Sequence, residues 1–398
     1  MSLAHTLLPR LAACAAAAAA ASTTTIPACS LNGVQRGDGT CECDAGWGGA
    51  ACQRLALSPA PPLDAAHQAY YHPGDNSWGL SVVREGQLWH GYMTEIAGNC
   101  SLSSYGTASR ILHVVAPAPG GPWAVADVAL SQFAHNPQIV RAADGSWLLF
   151  HIGAPSPPGC AEQACGGAHN ASCALGAHGT SVAHAASPYG PWERIPYILP
   201  DNETNPSALI LSDGSIAVTA RRWTGGVPIY TAANWRGPYV AAPRAAVTLV
   251  RAGAPADDAF TPFDEDPFAW VDARGGVHML THRQPNGTAC PQGPTPSDCD
   301  CAGGHMYAPA LAGPWFVDLD LVYNCSLDVQ GAAQPLRLAA RQRPTLLLPA
   351  RNGGEPACPL LFTGASIDPK SQYYSSFSMV QSLDCGAARG REGAARGG

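Results

Sequence analysis

A two-stranded unit recurs down this chain. HNPQIVRAADGSWLLFHIG (135–153), TNPSALILSDGSIAVTARRW (204–223), EDPFAWVDARGGVHMLTHRQ (265–284) and QRPTLLLPARNGGEPACPLLFTGA (342–365) align, and DNSWGLSVVREGQLWHGYMTE (75–95) is a fainter copy. Each has a polar residue, usually followed by proline, then a short apolar strand, a D-G, G-G or E-G turn, and a second strand. The anchors Asn76, Asn136, Asn205, Asp266 and Arg343 are 60, 69, 61 and 77 residues apart. Between them a second signature returns: APGGPW (118–123), SPYGPW (187–192), NWRGPY (234–239) and LAGPWF (311–316). G-P before an aromatic suits a tight turn into an outer strand. Two hairpins per period make four strands, so five periods predict an all-β five-bladed propeller over residues 67–385. A two-sheet sandwich would give no reason for the period.

Residues 1–22 read as a secretory signal peptide: His5 and Arg10 precede an alanine-rich run with A-x-A sites near its end. No later stretch is long and apolar enough to span a bilayer. Without Cys14, 14 of the 15 cysteines remain, an even number suited to disulfides. N-x-S/T sequons begin at Asn99, Asn170, Asn202, Asn286 and Asn324. Together these predict a secreted, disulfide-bonded glycoprotein. Net charge is a mild −7, with one lysine beside 21 arginines and no basic stripe, which argues against a nucleic-acid partner.

Ahead of the repeats lies CSLNGVQRGDGTCECDAGWGGAAC (29–52), joined by a proline-rich linker (58–66). The spacing C-x-C-x8-C, with Gly46, Trp47 and Gly48 in its last loop, resembles the second half of an EGF-like domain, so residues 23–57 form a partial module. By that resemblance Cys29 pairs with Cys41 and Cys43 with Cys52. A unit this short relies on cross-links rather than a core. It is expected to act as an adhesion or spacer module, or as a plain stapled stalk.

In a propeller, the first strand of each blade lines the axis, so the residues just before those strands converge at one mouth. Here they are Asp75/Asn76, His135/Asn136, Asn205, Glu265/Asp266 and Arg343. The second strands should return Glu95, His151, Arg221 or Arg222, His282 and Thr363 to the same mouth. A polar crown of this kind offers the donors and acceptors that sugar hydroxyls need.

The x-D-P strand starts and GPW turns across residues 67–385 resemble the propellers of family 43 and family 32 glycoside hydrolases. The match is closest in EDPFAWVDARGGVHMLTH and GGHMYAPALAGPW. The resemblance implies a glycosidase-like hydrolase acting on an oligo- or polysaccharide, with no cofactor. Family 43 enzymes place carboxylates on three blades; Asn136 and Asn205 stand where such enzymes favour an acid. Glycoside hydrolysis ordinarily needs two carboxylates flanking the bond. The catalytic candidates are Glu265 and Asp266 on one blade, with Asp75 or Glu95 on another. Neighbours on a strand face opposite ways, so Glu265 and Asp266 would not pair with each other.

His135, Asn136, Asn205, His282 and His305 are expected to bind substrate through hydrogen bonds. No metal is expected, since H-E-x-x-H is missing and the cysteine spacings in 160–173 and 290–301 suit loop-stapling bridges. Arg221, Arg222 and Arg343 either tie down Glu265 and Asp266 or clamp an acidic or sulfated glycan. The tail 386–398 has nothing to bury. A non-catalytic glycan-binding or adhesion protein is the alternative to a hydrolase.

Overall fold

The computed structural model describes residues 25–64, 76–155, 179–222, 226–255 (apart from 244, 246 and 252), 263–284, 301–349, 356–367 and 376–386. The expected leader, Asp75, Asn170, Asn286, most of both cysteine-rich inserts and the tail from 387 lie outside the described residues.

Five antiparallel sheets stand around one axis, because each first strand touches the next and the last touches the first. Blade I holds Asn76–Glu85, Leu88–Ile96, Ser109–Ala116 and Ala124–Leu130. Blade II holds His135–Arg141, Trp147–Ile152, Thr180–Ala185 and Glu193–Ile195. Blade III holds Glu203–Ile210, Ile216–Arg222, Ile229–Ala232 and Val240–Ala241. Blade IV holds Phe263–Val271, Val277–Gln284, Gly303–Ala308 and Trp315–Asp318, with Val247–Arg251 added in parallel to its outer strand. Blade V has three strands, Ala340–Leu347, Leu360–Ser366 and Ser376–Ser382.

The local chemistry follows the repeat. In blades II, III and IV, Asp144, Asp213 and Asp272 each accept the backbone N–H two residues on, closing the turn between the inner strands. The G-P-aromatic turns join third to fourth strands, each with its glycine at positive φ. Apolar side chains fill the wedges between blades: Leu80, Trp89, Met93, Phe362 and Val380 between I and V, and Leu148, Phe150, Val218 and Tyr230 between II and III. Burying each such side chain is worth about 1.5–3 kcal/mol.

Every first strand slips register once near its start. At the slip stands one left-handed residue per blade: Gly79 (φ 63°), Asn136 (52°), Asn205 (53°), Asp266 (53°) and Arg343 (53°). The blade I anchor is therefore Gly79 and not Asn76. What repeats is a backbone conformation, and glycine meets it without a side chain. Asn76 instead ties neighbouring segments, donating from Nδ2 to the Cys100 carbonyl (2.9 Å) and accepting from the Ser376 N–H (3.0 Å).

Two residues further on, side chains stitch blade to blade. Ser81 Oγ accepts from the Ile139 N–H (3.1 Å), Gln138 Oε1 from the Ala208 N–H, and Ser207 Oγ from the Ala269 N–H (3.0 Å). Between V and I, Thr345 Oγ1 donates to the Leu80 carbonyl (2.6 Å). At the step from IV to V the equivalent residue is Phe268, which has no side-chain acceptor.

The N-terminal module is seated on the propeller. Its bridges Cys29–Cys41 and Cys43–Cys52 form as expected, and Cys301–Cys325 and Cys358–Cys385 brace the propeller. Arg274 of blade IV binds the Asp44 carboxylate and the Leu31 carbonyl, and Gln53 Nε2 donates to Asp320 (3.1 Å). Downstream, residues 56–58 run along the open edge of blade V: the Asp384 N–H donates to the Ala56 carbonyl (2.6 Å), and the Ser58 N–H donates to that of Ser382 (2.9 Å).

Candidate functional site

The residue before each left-handed position, paired with its partner on the second strand, forms a ring at one end of the channel. The pairs are Trp78–Thr94, His135–Ile152, Thr204–Arg221, Glu265–His282 and Gln342–Gly364. Glu265 is the single carboxylate of this ring. Arg221 NH1 donates to its Oε1 at 2.7 Å, and His282 Nδ1 lies 3.9 Å from its Oε2. The two charged side chains keep 15% and 13% of their surface exposed, whereas His282 is buried. Across the mouth, His135 Nδ1 meets Ser109 Oγ at 2.9 Å, and its ring lies against Tyr105 (5.1 Å). Burial, with the nearby Arg343 charge, pushes His135 down to about 3, so its imidazole is neutral at neutral pH.

Beneath the ring, the left-handed residues cross the axis as a plug. Asp266 Oδ1 accepts from Asn136 Nδ2 (3.3 Å) and from Asn205 Nδ2, with Arg343 NH1 at 3.6 Å. Arg343 NH2 donates to the carbonyls of Asn136 (2.9 Å) and Pro206 (3.2 Å). Gly79 leaves room for it, since a Cβ there would sit 2.8 Å from Arg343 Cγ. Asp266 and Arg343 are each 2% exposed. Below the plug, a cavity of about 350 Å³ is walled by the first strands of all five blades.

The structure distributes the sequence candidates accordingly. Glu265, Arg221, His282 and His135 come together at the mouth. Asp266, Asn136, Asn205 and Arg343 form the plug beneath it. Glu95 pairs with Ser77, one residue beyond the ring and on the opposite strand face, where Arg110 holds it. Arg222 is likewise one residue beyond Arg221 and binds Glu203 (2.8 Å). His151 and Thr363 are fully buried. His305 is not at the mouth: its Nδ1 meets Asp318 Oδ2 (2.9 Å) and its Nε2 meets His278 Nδ1 (3.2 Å) inside blade IV.

Thr204, Gln342, Trp78, Ser109 and Tyr105 escaped the sequence reading. The first three are found by stepping one residue back from each left-handed position. Tyr105 lies in the connection ahead of the third strand of blade I and Ser109 opens that strand, where no repeat signal falls. Asp264, beside Glu265 but on the other face, lies between Thr281 Oγ1 (3.1 Å) and Arg283 (3.6 Å). Burial raises its carboxyl, against the pull of Arg283. Asn202 and Asn324 are exposed, as sequon asparagines must be.

No protein-family model matches the chain, and neither does any curated protein sequence. Solved structures do match. One is a family 43 β-xylosidase/α-arabinofuranosidase from a compost microbial metagenome in complex with xylotriose, at 12% identity, covering 81% of this chain and 95% of that one with a TM-score of 0.50. This chain shares the five-bladed propeller fold of that structure. A family 43 enzyme from Xanthomonas citri gives the same TM-score of 0.50 at 12% identity, over 82% of this chain and 90% of its own, and was also solved with xylose. At such identity the likeness carries the fold and leaves the chemistry to the residues at the mouth.

Proposed function

We propose that this protein is a secreted, glycosidase-like hydrolase that takes an oligo- or polysaccharide at the propeller mouth, with Glu265 as its acid. The observation that carries the reading is the part-exposed Glu265, held between Arg221 and His282 at the end of the channel. A positioned carboxyl there can pass a proton to a leaving glycosidic oxygen. Around it, His135, Thr204 and Gln342 offer the mixed donors and acceptors that fix sugar hydroxyls. Of the sequence candidates for the second carboxylate a hydrolase needs, only Asp75 is left, and it lies outside the described residues. Arg221, Arg222 and Arg343 all bind protein oxygens, so a neutral saccharide is favoured over an acidic or sulfated one.

A non-catalytic glycan binder is the second reading. It is favoured by Asp266 being consumed in the plug and Glu95 being held by Arg110. A reducing-sugar screen with neutral oligosaccharides, beginning with xylo-oligosaccharides, combined with a glycan array, separates the two. Turnover that disappears in Glu265→Gln while the fold persists supports hydrolysis. Binding without turnover selects the second reading, and full activity in Glu265→Gln refutes the assignment of the acid.

A further inference from the structure

In this propeller, third-strand histidines rest on an aromatic of the next blade's G-P turn. His113 of blade I meets Tyr189 of blade II (5.1 Å), and His184 of blade II meets Trp235 of blade III (4.5 Å). Among the described residues blade V has three strands, and its sequence carries no G-P-aromatic turn. Against His305 of blade IV the aromatic is instead Trp47, from the N-terminal module, at 4.9 Å. Trp47 also stacks on Trp270 (6.4 Å), within a cluster of Leu55, Leu346, Leu361 and Leu383 that spans blades IV and V. Residues 56–58 then stand at the blade V edge where the other blades carry a fourth strand. The module thus supplies from outside the repeats what blade V lacks, at the one step where Phe268 interrupts the stitching of the inner strands.

The module has almost no core of its own. Its longest strands are three residues, and what gives it shape is Cys29–Cys41 and Cys43–Cys52. Cys41 and Cys43 are half-buried, whereas Cys29 and Cys52 are buried, so a reductant reaches the first two more readily. We propose that residues 25–57 are a disulfide-dependent clasp that closes the propeller between blades IV and V, and that a small dithiol releases it. One thiolate of the dithiol attacks Sγ of Cys41 or Cys43 and displaces the partner sulfur as a thiolate. Its second thiol then displaces the first cysteine, leaving two protein thiols and an oxidised, cyclic dithiol. With both bridges open the segment loses its shape, and the Trp47, Asp44 and Gln53 contacts go with it.

The test uses the full chain and needs no substrate. A dithiothreitol titration is followed by alkylation mass spectrometry and limited proteolysis. Alkylation of Cys29, Cys41, Cys43 and Cys52 should coincide with about tenfold faster cleavage within residues 25–64, as expected when local opening becomes easier. Trp47→Ala, with the bridges intact, should give the same cleavage, and Trp47→Phe should restore protection. Alkylation of all four cysteines without faster cleavage would overturn the proposal. So would a Trp47→Ala protein as resistant as wild type. Cys29→Ser/Cys41→Ser/Cys43→Ser/Cys52→Ser separates the module's bridges from Cys301–Cys325 and Cys358–Cys385. If it folds with residues 25–64 protected, the clasp does not depend on its disulfides.

Discussion

Replacing Asp266 by Asn decides whether that residue holds the propeller together or serves the chemistry above it. The substitution keeps the side chain's size, and asparagine tolerates the left-handed backbone at φ 53°. It removes one charge from a site where Asn136, Asn205 and Arg343 all present donors to a single carboxylate oxygen. Arg343, 2% exposed, is then left without its counter-charge. Removing one partner of a buried ion pair typically costs about 3–5 kcal/mol. For a chain of this length that corresponds to a fall in Tm of roughly 4–7 °C. Chemical unfolding should show a lower midpoint at an unchanged slope. Asp266→Asn/Arg343→Met should recover part of the loss, since no buried cation is then uncompensated, and the double-mutant cycle measures the coupling. An Asp266→Asn protein with an unmoved unfolding curve and abolished turnover would refute the plug and make Asp266 a catalytic carboxylate.

Gly79→Ala places a Cβ 2.8 Å from Arg343 Cγ at a φ of 63°; a loss of about 1–3 kcal/mol is expected in denaturant titration. Burial holds His135 and His151 down to about 3 and lowers His90 and His278. Unfolded histidine titrates near 6.5, so below that pH the unfolded chain binds more protons, and stability should be full above about pH 6.5 and fall as the pH drops towards 3. Equal unfolding midpoints at pH 7 and pH 5 would contradict this. Mass spectrometry after alkylation without reduction should find no adduct on Cys29, Cys41, Cys43, Cys52, Cys100, Cys301, Cys325, Cys358 or Cys385, all of which are disulfide-bonded.

The propeller was legible because its signals are local. Turn aspartates, G-P-aromatic corners and x-P strand starts each reflect short-range backbone chemistry, repeated often enough to reveal a period. The first blade was misread by three residues because Gly79 has no side chain and no following proline to align on. Of the second-strand residues expected at the mouth, Arg221 and His282 stand opposite ring positions, whereas Glu95 and Arg222 lie one residue beyond. The register slip shifts which residue of the second strand faces the axis, and a slip leaves no mark in composition. His305 looked like a site residue because its motif did. Its burial depends on Asp318 and Trp47, which lie 13 and 258 positions away in the chain. Seating of the N-terminal module was illegible for the same reason, since Arg274–Asp44 and Gln53–Asp320 join segments more than 200 residues apart.

Because Asp266, Arg343 and the two asparagines cross the axis from different blades, the channel of this propeller is not a tunnel. A polymer cannot be threaded through it, and whatever enters the mouth meets a floor. If a polysaccharide is the ligand, it reaches Glu265 from that mouth alone, and both halves of a cleaved chain leave by the same side.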